Sequence, residues 1–204
     1  MVYTILQYLR LKNEKKYVSG IFILYITPLR SLNRDIFRRL VEMGGRLGIK
    51  VEVRHGDTPT KLRKIQAEAP PDMLITTPET LQAILVGKRM VKHLKNVCWV
   101  VVDEIHELAD DKRGTQLMVG LERLQKIVGK DFQRIGLSAT VGDLKTIGGF
   151  LVGKDRKVKV VRVETFKEMD VKVESPSTTV EDEKLSEKFM VPVGTISRIR
   201  RILE

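Results

Sequence analysis

Cysteine occurs once in 204 residues, at Cys98. A single thiol excludes an intrachain disulfide and any zinc site built on cysteines. No apolar run approaches the roughly 18 residues that a membrane span needs. The opening stretch MVYTILQYLRLKNEKK puts apolar residues before charge, the reverse of a secretory signal. A cytoplasmic protein without a membrane partner is therefore the expectation. Asparagine is scarce, at three, beside abundant lysine, arginine and glutamate, a pattern that points faintly to a protein that works hot. No His/Asp/Glu set has zinc spacing, no Ser/His/Asp arrangement points to hydrolase chemistry, and no internal repeat is visible.

What is present supports one large domain, or a domain with an appendage. The hydrophobic fraction of 42% can build a core and the charged fraction of 31% a soluble surface. A formal charge of +11 favours a polyanionic partner. The excess is concentrated: ten Lys and Arg fall between Arg30 and Lys64, against Asp35, Glu42, Glu52 and Asp57. Alone, that stretch could equally be a solvated basic helix face.

Short apolar runs at 21–26, 51–55, 72–76, 97–103, 134–138 and 158–163 read as strands. Most are continuous rather than alternating, as expected of parallel strands covered on both faces. Helical patterns lie between them at 2–12, 30–47, 59–67, 78–87, 114–128 and 143–152. Pro78 behind Thr77, and Asp143, mark two helix starts. Strand alternating with helix predicts a doubly wound, mainly parallel α/β sheet over residues 1–165. Residues 166–204 read as an acidic, Ser/Thr-rich linker and a final basic helix. His93 lies in GKRMVKHLK, read as a surface turn.

In such a sheet, ligands sit beyond the carboxyl ends of the strands. The run VVVDEIHEL (100–108) delivers Asp103 and Glu104 to that edge. In a phosphoryl-transfer site one acid there holds the nucleotide's magnesium ion and a second orients the attacking water. VVVD alone is weak, since many strands end in an acid that merely caps a helix. Other signatures follow the other strands: ITPLRSL (26–32), HGDTP (55–59), TTPETLQ (76–82) and LSATVGD (137–143). Each taken singly is turn chemistry plus helix capping. Thr-Pro turns at helix starts can also present backbone amides, and Arg30 a cation, to a phosphate.

Taken in order, TPLRSLNRDI, RHGDTP, TTPETLQ, VVVDEIHEL and GLSATVGD resemble motifs Ia, Ib, Ic, II and III of superfamily 2 DExH helicases, in the large helicase-related branch. The resemblance runs from the first helix to about residue 165. It implies a RecA-like first lobe, ATP and magnesium as cofactors, and single-stranded or partly duplex DNA or RNA as partner. Asp103 would coordinate magnesium and Glu104 would polarise the water. His106, Ser138 and Thr140 would couple nucleotide state to the nucleic-acid track. Thr27, Pro28, Arg30, Gly56, Thr77, Pro78 and Glu79 would line that track, reading backbone rather than bases.

The resemblance also implies a P-loop, G-x-x-x-x-G-K-[ST], on a strand before the first helix. The chain contains only GGFLVGKD, from Gly148 to Asp155. An aspartate stands where magnesium's hydroxyl ligand belongs, and the stretch follows a helix and comes after DEIH. It reads as a helix end with a turn. The expectation is a first lobe without its phosphate loop and without the second lobe that carries an arginine finger. Two readings of different class follow: part of an ATP-dependent helicase, inactive by itself, or a non-catalytic nucleic-acid-binding module descended from one.

Overall fold

Five four-residue strands form one sheet: β1 (Ile23–Ile26), β2 (Val51–Arg54), β3 (Met73–Thr76), β4 (Trp99–Val102) and β5 (Gln133–Gly136). Their spatial order is β2-β3-β1-β4-β5, and every pairing is parallel. The computed structural model describes residues 2–13, 19–28, 30–139, 143–153 and 156–162. The chain divides into Met1–Val161 and Arg162–Glu204, and every element described here belongs to the first. The linker and basic helix expected after residue 165 lie outside the described residues.

The helices are α1 (Val2–Asn13), α2 (Arg30–Leu47), α3 (Thr60–Glu68), α4 (Pro78–Val86), α5 (Ile105–Ala109), α6 (Lys112–Val128) and α7 (Leu144–Val152). The apolar strands are covered on both faces, as their continuous pattern predicts. Strand period two divides them by parity. Leu24, Ile26, Leu74, Val100 and Val102 face one core with residues of α4, α5, α6 and α7. Ile23, Tyr25, Met73, Ile75, Trp99 and Val101 face the other with Ile5, Tyr8 and Leu40.

Register decides where the chemistry falls. Arg54, Thr76, Ile26, Val102 and Gly136 stand in one row across the sheet. The next residues, His55, Thr77, Thr27, Asp103 and Leu137, therefore leave the sheet at a single carboxyl edge. The connection after β1 runs toward β2, while that after β4 runs toward β5. Such a reversal opens a crevice between the two strands, and Thr27 and Asp103 stand at its lips.

The helix starts follow local chemistry. Thr77 caps α4 by accepting from the Thr80 amide at 3.3 Å, with Pro78 in the first turn. Asp143 caps α7, accepting from the Lys145 and Thr146 amides at 2.9 and 3.2 Å. At the far end of α7, Gly153 takes φ 85° and its amide bonds the Gly149 carbonyl at 2.8 Å. GGFLVG is thus a helix end, and Lys154 and Asp155 lie outside the described residues.

Three departures from the sequence reading have physical reasons. The segment 158–163 was expected as a strand, yet residues 158–162 carry no regular structure. Val158 instead lies against Gly148 of α7, where a Cβ would approach its Cγ1 to 2.7 Å, and without a paired neighbour a β-branched run is not a strand. The segment around His93 is no surface turn but a 3-10 helix, Val91–Asn96. Leu94 is fully buried there, and the His93 Nε2 lies 2.9 Å from the Ala67 carbonyl. Helix α5 was hidden inside the DEIHEL signature, whose Ile105 and Leu108 turn out to be core residues.

One charged cluster fastens β5. The Arg134 side chain, 4% exposed, reaches Glu122 of α6 at 2.8 Å and the Gln125 side chain at 2.9 Å. Arg156 meets Glu122 at 2.8 Å. The bond from Arg156, with Arg134 beside it, holds the Glu122 carboxyl at about 2, against an ordinary 4.5. A depressed folded-state pKa gives stability that is complete above the ordinary value and lost as pH falls through the folded one. Because Glu122 is half exposed, solvent screening limits this to about 1 kcal/mol. Chemical denaturation from pH 5 to pH 2 should show that loss in the wild type and a flatter dependence in Glu122→Gln. Equal slopes would remove Glu122 from the acid response.

Candidate functional site

The site starts where β4 runs out. The Asp103 amide bonds the Ile26 carbonyl at 2.8 Å, so the residue is still held by the sheet. Its carboxylate accepts the Tyr25 phenol at 2.5 Å on Oδ2 and the Glu104 amide at 3.1 Å on Oδ1. Burial, then the bond to Asp103, push the Tyr25 phenol far above its ordinary value. Tyr25 therefore remains a donor at every physiological pH. Sequence reasoning passed over it. The available signal was a tyrosine in the aliphatic strand ILYI, because a buried phenol needs a partner.

Glu104 takes φ 45° and ψ 45°, and among the described residues no other non-glycine has positive φ. The left-handed conformation disfavours an L-residue by roughly 1–2 kcal/mol and persists where surrounding structure imposes it. Here the Ile105 amide bonds the Leu137 carbonyl at 3.0 Å, and the Leu137 amide bonds the Val102 carbonyl at 2.9 Å. The turn brings the Glu104 carboxylate beside His106. Its Oε2 is shielded from solvent without a hydrogen-bond partner, with His106 Nδ1 at 3.5 Å. Ser138 Oγ lies 2.8 Å from the same Nδ1. Glu104, His106 and Ser138 thus form one contiguous set, joining the loops after β4 and β5. Thr140 lies outside the described residues.

Among the described residues no group of three or more ligating side chains could hold a metal ion. One carboxylate beside an orphaned oxygen is nonetheless what a magnesium site shared with phosphates requires, since magnesium keeps most of its shell for water and phosphate oxygens. The arrangement fits that ion only together with a nucleotide.

The remaining expected residues are distributed along the same edge. Thr27, Pro28, Thr77 and Pro78 are buried. The Thr27 amide bonds the Thr76 carbonyl at 3.1 Å, joining the two turns. Gly56 is exposed in a turn closed by the His55 amide on Thr58 Oγ1 at 2.9 Å. Arg63 holds that turn through the Thr58 carbonyl at 2.7 Å. Arg30 opens α2, and its side chain is not among those described. Glu79 is exposed and bonds Arg113 at 2.6 Å. Burial alone would raise the Glu79 carboxyl, but that bond and others from its own amide and Thr77 hold it below the ordinary value.

Several cations of the basic stretch have structural tasks. Arg54 reaches the Arg63 carbonyl at 3.3 Å, Arg46 pairs with Glu42 at 2.9 Å, and Lys50 pairs with Glu52 at 3.0 Å. The positive surface available to a partner is smaller than the residue count implies. Arg113, absent from the sequence reading, is the other residue found only in the structure.

The DEAD/DEAH box helicase family model matches residues 1–147. The chain is 42% identical over 182 residues to the ATP-dependent helicase Lhr-Core of Methanothermobacter thermautotrophicus, covering 82% of this chain and 21% of that protein. It is 37% identical over 172 residues to the Lhr helicase/uracil glycosylase of Escherichia coli, covering 78% and 11%. The chain thus spans about a fifth or less of the curated relatives it matches. The solved structure of Mycobacterium smegmatis helicase Lhr bound to ssDNA and AMP-PNP superposes with a TM-score of 0.62 at 40% identity, over 67% of this chain and 19% of that one. The DEAD-box helicase Mss116, at 21% identity and a TM-score of 0.63, shares the fold. The sheet is RecA-like, and the chain belongs to the DEAD/DEAH box helicase family, in its Lhr-like branch.

Proposed function

We propose that these residues form the first RecA-like lobe of an ATP-dependent nucleic-acid helicase, in which ATP hydrolysis drives movement along a strand. The observation that carries this reading is Glu104: a carboxylate held in a strained turn, one oxygen shielded and unpartnered, beside Asp103 at the switch point of the sheet. Strain of this kind has no use in a plain helix cap, and the non-catalytic alternative is not favoured.

In this reading Tyr25 and the Glu104 amide hold the Asp103 carboxylate where it would be a ligand to magnesium. The ion, when bound with ATP, neutralises charge developing on the phosphates. Glu104 orients and polarises the attacking water. His106 and Ser138 transmit the state of that site to the loop after β5. The phosphate cradle comes from a segment other than these 204 residues. β5 supports this, because among the described residues it pairs with β4 alone, leaving one side open to a further parallel strand.

The partner is a single strand of DNA or RNA held by its backbone along the carboxyl edge. The turns at Thr27–Pro28, Gly56 and Thr77–Glu79 line that edge, and Arg30 at the start of α2 supplies charge. Binding should be weak and nearly independent of sequence. Arg30→Ala, with Lys61→Ala and Lys64→Ala, should flatten the dependence of log affinity on log salt by roughly 0.7 for each phosphate no longer neutralised. Fluorescence anisotropy with a labelled oligonucleotide from low to moderate salt measures this. A slope unmoved by all three substitutions would put the track elsewhere.

A further inference from the structure

Arg113 is the second residue of α6 and joins three parts of the site that lie far apart in sequence. Its Nε donates to Glu79 Oε1 at 2.6 Å, and its Nη2 donates to the Pro28 carbonyl at 2.9 Å. One planar fork therefore grips the turn after β1 and the turn after β3. Those turns already share the bond from the Thr27 amide to the Thr76 carbonyl, at 3.1 Å. The fork adds a second tie farther out, beyond the last rung of the sheet.

The base of this fork is fixed. Next to Arg113, Gly114 presses directly on α5: a Cβ there would stand 1.8 Å from the Leu108 carbonyl oxygen and 2.9 Å from the Phe150 ring. Helix α5 begins at Ile105, immediately after Glu104. From Glu104 through α5 to Arg113 runs a short path of helix backbone with no slack at its joint. Arg113 and Glu79 are both substantially exposed, at 39% and 53%. Such pairs contribute little to global stability, so the fork's effect is on register.

We propose that Arg113 is a positioning residue: it locks the Thr27–Pro28 and Thr77–Glu79 turns into one strand-binding edge and ties that edge to the helix that follows Glu104. Arg113 itself makes no contact with the nucleic acid. The role in strand binding rests on the function proposed above, whereas the lock between the turns does not. Lysine cannot replace it, because a single ammonium lacks the fork that reaches an acid and a carbonyl together.

The test combines amide hydrogen exchange on the free 204-residue chain with titration of a fluorescent twelve-nucleotide oligothymidine. In Arg113→Ala, exchange at the Thr27 and Thr80 amides should accelerate about tenfold, with the Trp99 amide in β4 unchanged. Arg113→Lys should behave as Ala does. If the aligned turns become about tenfold rarer, apparent affinity falls by the same factor while the bound state keeps its contacts. The oligonucleotide should therefore bind about tenfold more weakly at an unaltered salt slope. Unchanged exchange at Thr27 and Thr80 would overturn the proposal. So would a slope lower by roughly 0.7 in Arg113→Ala and restored in Arg113→Lys, the signature of a direct phosphate contact. Faster exchange in a chain whose wild type ignores the oligonucleotide would uphold the lock and refute the nucleic-acid reading.

Discussion

Purified and given magnesium, ATP and a single-stranded oligonucleotide, these 204 residues are expected to release phosphate no faster than buffer does. Phosphoryl transfer depends almost wholly on positioning and charge stabilisation. In the function proposed above Asp103 and Glu104 would supply two parts of that arrangement, and both follow directly on β4 at the carboxyl edge. The amide cradle, its lysine and the magnesium-binding hydroxyl are not encoded, since the one near match ends in Asp155 and closes helix α7 at Gly153. An arginine finger, where one operates, adds about 10³–10⁵ to the rate, and the resemblance to DExH helicases implies one outside these residues. Glu104→Gln should accordingly release phosphate at the same background rate. Turnover above buffer that disappears in Glu104→Gln would mean that other residues here hold the triphosphate.

Among the described residues Gly114→Ala is expected to be the most damaging exchange of a glycine for alanine. The added Cβ would meet the Leu108 carbonyl oxygen at 1.8 Å and its carbon at 2.6 Å. Those are backbone atoms of α5, so no rotamer change can make room. Overfilling a packed site generally destabilises by about 1–3 kcal/mol, and a clash with backbone belongs at or beyond the upper end. For a chain of this size about 3 kcal/mol lowers the thermal midpoint by roughly 6–12 °C. Gly45→Ala is the control, because nothing lies within 4 Å of its added Cβ in α2, and there Ala should stabilise by roughly 0.5–1 kcal/mol. Circular dichroism melts of both variants decide the matter. Equal midpoints would show that α5 and α6 can separate freely.

The sheet was readable because parallel strands announce themselves. ILYI, MLIT and WVVV are apolar at nearly every position, which only two covered faces explain. Thr77, Pro78 and Asp143 marked helix starts because capping depends on neighbours in sequence. The run at 158–163 misled for the converse reason: valines at strand spacing say nothing about whether a partner strand exists. The site was legible where it consists of consecutive residues, as in DEIH. It was not legible where it is assembled across the chain. Tyr25 and Asp103 are 78 residues apart, and Arg113 and Pro28 are 85 apart. Neither pair leaves a local pattern. Burial also changes the reading of two residues singled out from the sequence: Thr27 and Thr77 are almost wholly inaccessible.

The free side of β5 has a consequence for the life of the chain outside any complex. Gln133 and Gly136 are exposed, whereas all four residues of β4 are buried. Among the described residues β5 pairs with β4 alone, and an unpaired row of amides and carbonyls is a template for an extended peptide, including a second copy of the same segment. Proteins commonly blunt such an edge with charge, but here Arg134, the cation on the strand, is folded inward and neutralised by Glu122. The salt-bridge cluster that fastens β5 to the body of the domain thus leaves its rim undefended. A polypeptide in which that rim stays uncovered is open to pairing with a second copy of itself.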